Sequence, residues 1–388
     1  MIGTKSVFFE LIESVVFDRK ANPGLKAKLT DDVVGKLFAI AKKHDLAHII
    51  GLSLAKLGVN VNDELNGKLQ KEQMLAVFRY ERLKYDYELL LRAIENFGVE
   101  FIPLKGAIIR DFYPEPWMRT SCDIDVLVKK EDAERTVLYL TKNGFAKGKD
   151  FTEHDHILTS ESGTTIELHY NLRQDGALPK SDEILDTVWE NLKDKKNDTN
   201  QRQMTDEFFV FYHLVHMAKH FINGGCGIRP FIDLFLINKN IKCDQEKLKE
   251  LLIKAELDKF YSAVLELSRV WFEGEKHTNF TTAMEEFVLS GGVYGNINNS
   301  AKVQAVKGKT KSKTIFSLMF LPKSRLEIIY PRLKKYPILF PFYQVKRWFR
   351  VFKKDNRNRV SGIVKARGDV MQEDINSTEQ LIDALGLK

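Results

Sequence analysis

The chain has 388 residues, of which 44% are apolar and 29% are charged, and its formal net charge is +7. This composition excludes a disordered chain, and no apolar run approaches the roughly 20 residues that a membrane-spanning helix needs. We expect a soluble globular protein of two or three domains.

The cysteines Cys122, Cys226 and Cys243 are too few and too irregularly spaced to predict a disulfide framework or a zinc site. The first residues do not resemble a secretory signal, because Glu10 and Glu13 interrupt their apolar run. Both observations predict a cytoplasmic protein.

Residues 1–97 have apolar side chains mostly at helical spacing and form a predicted N-terminal helical region. We expect two or three short helices, a polar connector over residues 58–67, and a long helix over residues 68–96. Gly98 ends this helix, as glycine commonly does just beyond a helix C-terminus.

The next stretch predicts a buried strand, a glycine turn and a short helix. Residues 99–104 are mostly apolar, Lys105 and Gly106 follow, and residues 107–112 have helical spacing. Backbone N–H groups at such a helix start can bind phosphate. Gly106 would allow close approach, and Lys105 would add a mobile charge.

A second predicted strand, residues 123–128, carries two carboxylates on one face. Side chains alternate across a strand, so Asp123 and Asp125 lie about 7 Å apart along the same face. A cation between them would relieve their repulsion, and oxygen ligands of this kind suit Mg²⁺ or Mn²⁺. Glu167, in the alternating run 164–169, is a third acid that could complete the set.

The remaining elements of the predicted core, residues 98–178, are a helix and a hairpin. The helix begins near Glu131 and ends before Gly144, and the hairpin joins residues 154–160 to residues 164–172. The predicted fold class is α+β: a small mixed sheet with helices on one side, flanked by N-terminal and C-terminal helical regions.

Three short motifs follow one another between residues 104 and 169: Leu104-Lys105-Gly106, Arg119 before Asp123-Ile124-Asp125, and Glu167-Leu168-His169. At these motifs the sequence resembles the polymerase-beta-like nucleotidyltransferase superfamily and, more narrowly, the bacterial family of "uncharacterised nucleotidyltransferases". The superfamily's Gly-Ser pair is Gly106-Ala107 here. A hydroxyl often used on the triphosphate is therefore absent, and Lys105 or Arg119 has to compensate.

The resemblance implies a metal-dependent nucleotidyltransferase. Such an enzyme moves a nucleoside monophosphate from an NTP to an acceptor hydroxyl or phosphate and releases pyrophosphate. By the same resemblance, Asp123, Asp125 and Glu167 are the expected catalytic residues and the ligands of Mg²⁺ or Mn²⁺.

The same resemblance implies roles for the neighbouring side chains. Lys105 and Gly106 would bind the β- and γ-phosphates, and Arg119 would neutralise charge as pyrophosphate leaves. His169 lies on the same strand face as Glu167. It could orient Glu167 or the acceptor, or it could only pack the strand.

Residues 179–290 are predicted to form a helical domain that closes the cleft. His213, His216 and His220 share one helix face there. This face is a partly buried polar surface, a zinc site, or a surface from which Lys219 or His220 reaches the nucleotide.

A glycine-rich turn precedes Arg229 and Asp233. Similar sequences of the family have an Arg and an Asp here. Arg229 would therefore contact phosphate while Asp233 holds the Arg229 side chain in place, or the two residues would form only a structural pair. The predicted nucleotide-binding set is thus Lys105, Gly106, Arg119, His169, Lys219, Arg229 and Asp233.

Residues 301–388 are predicted to form a basic, largely helical C-terminal segment. Residues 302–359 contain seventeen Lys or Arg and only two acids. Aromatic residues interleaved with these charges suit an anionic membrane surface or a nucleic acid, or they belong to a helical hairpin that packs on the body.

A rival function is a non-catalytic protein that keeps the fold and attaches through residues 302–359. The retained acids Asp123, Asp125 and Glu167 argue against it, because converging carboxylates are unfavourable without a cation.

Overall fold

The centre of the molecule is a five-stranded sheet in a computed structural model that describes residues 4–149, 154–174, 176–195, 199–308, 311–351 and 354–387. The strand order is β1-β2-β5-β4-β3, and β2 and β5 run parallel while the other pairs are antiparallel. The predicted α+β class is confirmed. The strands are β1 (Phe101–Pro103), β2 (Asp123–Val128), β3 (Ala146–Lys147), β4 (Asp155–Thr159) and β5 (Thr165–His169).

The register of β2 against β5 decides which side chains meet. Asp125 is opposite Glu167, and Leu127 is opposite His169. Paired residues of parallel strands point to the same face, so the acids of both strands lie on one side of the sheet. The opposite face is apolar and includes Ile124 and Val126.

Four helices precede the sheet: α1 (Thr4–Val16), α2 (Asp31–Lys43), α3 (Ala47–Lys56) and α4 (Asp63–Phe97). The start of α4 corrects the predicted connector over residues 58–67. The Asn62 side chain accepts a hydrogen bond from the Leu65 N–H and caps the helix, so the polar residues after it form the first turn. Gly98, with φ 81°, ends α4 as predicted.

Helices cover both faces of the sheet, so the prediction of helices on one side was wrong. The apolar face packs on α4 and on the helix that follows β2, through Leu90 and Leu140 among others. The acid-bearing face lies under α8, which is apolar nearly all round and is therefore buried. The helices of this region are α5 (Gly106–Ile109), α6 (Lys130–Lys142), α7 (Pro179–Leu185) and α8 (Asp206–Ile222).

The N-terminal helices share one hydrophobic core with the helices that follow the sheet, between residues 179 and 290. Phe9 stacks on Trp271 with ring centroids 4.5 Å apart, and Phe17 contacts Phe235 at 4.5 Å. These contacts join chain segments that lie on either side of the sheet in sequence. The helices after α8 are α9 (Arg229–Asn240), α10 (Gln245–Lys254), α11 (Asp258–Phe272), α12 (Asn279–Gly291) and α13 (Ile297–Val306).

The C-terminal segment has a small core of its own, formed by Leu326, Leu333 and Tyr343. Among the described residues, no helix is long and apolar enough to cross a membrane. Lys309 and Lys353 of the predicted basic segment lie outside the described residues. The helices are α14 (Lys311–Met319), α15 (Lys323–Ile329), α16 (Arg332–Lys335), α17 (Phe340–Val351), α18 (Lys354–Gly368) and α19 (Gln372–Ala384).

Candidate active site

A cavity of about 250 Å³ lies between the acid-bearing face of the sheet and helix α8. The Lys105–Gly106 turn, β2, β5, α8 and the start of α9 line it. Lys219 and His169 are not among the described residues that line the cavity, although His169 contacts an acid that does. The predicted site residues in its wall are Lys105, Gly106, Arg119, Asp123, Asp125, Glu167, His220, Arg229 and Asp233.

Asp125, Glu167 and His169 form the tightest group in the site. The His169 Nε2–H donates to Asp125 Oδ1 at 2.9 Å, and Nε2 lies 3.4 Å from Glu167 Oε2. One ligand atom from each of the three residues lies within 4.8 Å of the others. This group could bind a divalent cation. Asp123 lies two residues before Asp125 on the same face of β2 and lines the same cavity.

The electrostatics of the acids depend on their neighbours. Burial and the Asp125 charge raise the pKa of Asp123 to about 6. Burial also acts to raise the pKa of Asp125, but the Lys105 ammonium and the His169 hydrogen bond lower it below its usual value. Asp123 is therefore the acid whose charge is least compensated by protein groups.

His169 is protonated more readily than an ordinary histidine. Burial lowers its pKa, but the hydrogen bonds to Asp125 and Glu167 outweigh burial and raise it. The ring thus holds the two carboxylates in fixed positions.

Lys105 occupies a strained backbone position at the start of α5. Its φ is 41° and its ψ is −110°, in a region that residues with a Cβ rarely adopt. The Nζ atom lies 3.5 Å from Asp125 Oδ1. Burial acts to lower the pKa of Lys105, but the negative charge of Asp125 outweighs burial and raises the pKa above its usual value. The side chain therefore stays charged.

Arg119 is held by Asp233, which corrects the predicted pairing of Asp233 with Arg229. Nε and Nη2 of Arg119 donate to Asp233 at 3.0 and 2.8 Å, and the Tyr113 hydroxyl donates to the same carboxylate at 2.7 Å. The third nitrogen, Nη1, faces the Lys105–Gly106 turn, because a Cβ added to Gly106 would lie 2.6 Å from it.

Arg229 instead pairs with Asp45, a residue that the sequence did not indicate. Nη2 of Arg229 donates to Asp45 Oδ2 at 2.8 Å, and the Thr120 hydroxyl donates to the same oxygen at 2.6 Å. This contact joins the end of α2, the loop before β2 and the start of α9. No local pattern connects residues so far apart in sequence.

Ser121 supplies a hydroxyl at the Gly106 turn, where the sequence had predicted none. Its Oγ lies 3.5 Å from the position of a Cβ on Gly106 and accepts a hydrogen bond from Arg110 Nη2 at 3.1 Å. Arg110 also donates through Nε to the Gly106 carbonyl at 2.6 Å. Neither Arg110 nor Ser121 was predicted as a site residue. Ser121 lies in the loop before β2, and Arg110 lies in the predicted helix over residues 107–112, where no motif marked it.

The three histidines of α8 do not converge on one point. His216 and His220 share a hydrogen bond of 3.0 Å between their Nε2 atoms, whereas His213 donates to the Pro230 carbonyl at 3.0 Å. Burial lowers the pKa of His220 to about 4 and that of His216 well below its usual value, so both rings are neutral. This arrangement favours a polar cavity wall over a zinc site.

The sequence that forms this site matches a known protein family. The family described as "Uncharacterised nucleotidyltransferase" matches residues 32–273, which is more than half of the chain. The matched range contains the Lys105–Gly106 turn, the acids of β2 and β5, and Asp233. The chain matches none of the curated proteins with which it was compared. It belongs to the uncharacterised nucleotidyltransferase family.

Proposed function

We propose that the protein is a metal-dependent enzyme that transfers a nucleoside monophosphate from an NTP to an acceptor hydroxyl or phosphate and releases pyrophosphate. The parallel pairing of β2 with β5 is the observation that carries this proposal. It sets Asp125 beside Glu167 at a cavity, with Lys105 and His169 bound to the same carboxylate.

Asp123, Asp125 and Glu167 would hold Mg²⁺ or Mn²⁺, with His169 beside them. The donor set fits such an ion, because carboxylate oxygens suit hard cations and the ligand atoms of Asp125, Glu167 and His169 already lie close together. The raised pKa of Asp123 also fits, since a cation there would favour its ionised form. When bound, the ion neutralises phosphate charge and lowers the pKa of the acceptor hydroxyl.

The phosphates of the NTP would bind at the Gly106 turn. Lys105 is charged and borders the cavity, and Nη1 of Arg119 points at the turn from the other side. We assign the β- and γ-phosphates to Lys105 and the Gly106 N–H, with Arg119 neutralising the pyrophosphate as it leaves. Ser121 can donate the hydroxyl that Ala107 lacks.

The transfer itself is a displacement at phosphorus. The acceptor oxygen forms a bond to the α-phosphorus while the bond from that phosphorus to the bridging oxygen of the β-phosphate breaks. Glu167 receives the acceptor proton, and His169 keeps it oriented. Arg229 and His220 contact the nucleotide from the wall opposite the sheet.

A thermal-shift measurement with each of the four NTPs and Mg²⁺ or Mn²⁺ tests the proposal. We expect a metal-dependent rise in melting temperature for the wild type, because a ligand at about 100 times its Kd adds about 2.7 kcal/mol of stability. The Asp123→Asn/Asp125→Asn double variant should lose this rise, and the exposed Asp369→Asn variant should keep it.

Calorimetry on the same proteins separates lost binding from lost folding. A folded double variant that still binds NTP with metal as tightly as the wild type would contradict the assigned site. A wild type that binds no NTP would favour a non-catalytic protein that attaches to its partner through residues 302–359.

A further inference from the structure

The C-terminal segment exposes an unusual share of the molecule's large apolar side chains. Among the described residues, eight of the seventeen exposed large apolar side chains lie between residues 315 and 349, a span of less than a tenth of the sequence. Single exposed apolar residues need no explanation, but a cluster marks an interaction surface. The eight are Ile315, Phe316, Phe320, Tyr336, Ile338, Phe342, Val345 and Phe349.

Two helices join most of these residues into one apolar surface. The ring centroids of Phe316, on α14, and Phe320, just after its end, lie 4.9 Å apart, and the Phe320 ring lies 5.5 Å from that of Trp348 on α17. The exposed stripe of α17 follows at i, i+3 and i+7, through Phe342, Val345 and Phe349. We call these six residues the α14–α17 surface.

The exposed stripe of α17 lies away from the contacts of its buried side. Helix α17 is anchored by its other side, where Tyr343 packs with Leu326 and Leu333 and stacks on Tyr330 at 4.6 Å. Gln344 donates to the Leu321 carbonyl at 2.6 Å. The exposed stripe therefore points away from the core that holds the helix in place.

The segment that carries the surface is strongly basic in sequence. Residues 302–359 contain seventeen Lys or Arg against two acids, and one of the acids, Glu327, lies 3.7 Å from Lys323. Helix α16 exposes Arg332, Lys334 and Lys335 directly before the exposed Tyr336 and Ile338. An anionic partner would complement this charge.

We propose that the α14–α17 surface docks on an anionic lipid bilayer, with its rings in the interface and the surrounding Lys and Arg on the headgroups. The exposed phenylalanines would enter the acyl boundary, and the basic side chains would meet negative phosphates. Since no described helix can cross a membrane, the segment would lie on the bilayer.

The exposed aliphatic side chains of this segment favour lipid over RNA. Single-stranded nucleic acid is held by aromatic rings that stack on bases. Val345 of the α14–α17 surface has no ring to stack, and neither have the exposed Ile315 and Ile338 of the same segment. Transfer of such side chains from water into the hydrocarbon of a bilayer is energetically favourable. Ile338, for example, is 88% exposed.

Vesicle flotation of the full chain, without nucleotide, tests the proposal. We expect the wild type to float with phosphatidylcholine vesicles that contain ~30% phosphatidylglycerol and to stay behind with phosphatidylcholine alone. The affinity of the Phe342→Gln/Phe349→Gln variant for these vesicles should fall by about tenfold or more. The Arg332→Gln/Lys334→Gln/Lys335→Gln variant should also bind less, and its loss should resemble that of the wild type in high salt.

The matched control is Met74→Gln/Phe78→Gln, which removes two exposed apolar side chains from α4. It should bind anionic vesicles as the wild type does. A wild type that does not float, or an equal loss in both apolar variants, overturns the proposal. So does binding of single-stranded RNA without vesicle binding, or a wild-type dimer in light scattering that Phe342→Gln/Phe349→Gln converts to a monomer.

Discussion

Arg119 gives two of its three guanidinium nitrogens to one carboxylate, Asp233, which lies 114 residues further along the chain. Both side chains are almost fully buried, with 10% and 2% of their surfaces exposed. The pair fixes the plane of the guanidinium group, so its remaining nitrogen points at the Gly106 turn. A residue on α9 therefore sets the direction of a positive charge beside the sheet.

Removal of the Asp233 charge should destabilise the protein strongly. In Asp233→Asn, the buried guanidinium loses its counter-charge, and we expect a loss of about 3 kcal/mol in the free energy of unfolding. Urea denaturation measures it. Tyr113→Phe is the control, because it removes one hydrogen bond and keeps the ion pair, at a cost of about 1 kcal/mol. Equal losses in the two variants would show that Arg119 does not depend on Asp233.

The strained backbone at Lys105 should appear as a preference for glycine. Lys105→Gly and Lys105→Ala both remove the ammonium group, so both should lose NTP-dependent stabilisation. Glycine adopts a φ of 41° without penalty, so Lys105→Gly should be more stable than Lys105→Ala by about 1 kcal/mol.

Denaturation of both Lys105 variants in the absence of ligand gives this difference. At an unstrained position alanine is the more stable residue, by about 0.4–1 kcal/mol, because it restricts the unfolded chain. An alanine variant that is more stable than the glycine variant by this amount would therefore mean that the backbone at residue 105 is not strained.

A single methyl group on Gly106 should weaken nucleotide binding. The new Cβ would lie 2.6 Å from Arg119 Nη1, and that side chain cannot move aside without breaking its bonds to Asp233. We expect Gly106→Ala to lose roughly tenfold in NTP affinity by calorimetry, a penalty of about 1.4 kcal/mol. Gly35→Ala, on α2 with no atom near the added carbon, should keep full affinity.

Asp123→Asn should stabilise the metal-free protein at neutral pH. The pKa of Asp123 is raised from 3.8 to about 6 in the folded state, so its contribution to stability is full below about pH 4 and is lost as the pH rises through 6. The asparagine variant cannot lose it. At pH 7 with a chelator, we expect the variant to be about 2 kcal/mol more stable than the wild type.

Urea denaturation at several pH values with and without Mg²⁺ tests this prediction. The ion should remove the advantage of Asp123→Asn, because it stabilises the ionised carboxylates of the wild type. The exposed Asp369→Asn variant should follow the wild type throughout. An Asp123→Asn protein that is less stable than the wild type at pH 7 without metal would contradict the assignment of this charge.

Local patterns predicted most of the sheet and the residues of the Gly106 turn. Alternation of Asp123 and Asp125 identified β2, and the alternating run 164–169 identified β5, since both signals lie within a few residues. Helix α4 was predicted too, although its start was missed because Asn62 was assigned to a connector and not to a cap.

The contacts that complete the site could not be predicted in this way. Arg119 with Asp233 and Arg229 with Asp45 are pairs of ordinary charged residues, and only the packing of α2, α8 and α9 around the sheet brings them together. Ser121 was missed because no local pattern marked it. Its hydroxyl reaches the Gly106 turn from a loop without periodicity.

The ion pairs of Arg119 and Arg229 also limit which parts of the gene can be exchanged by recombination. The strands and the acids occupy less than a quarter of the sequence, yet the charges beside them are balanced by Asp45 and Asp233, from segments on either side. A gene fragment encoding only the sheet would leave Arg119 without its counterion and would expose the apolar face that α4 covers. Recombination could therefore transmit the candidate site only together with the helices that enclose it.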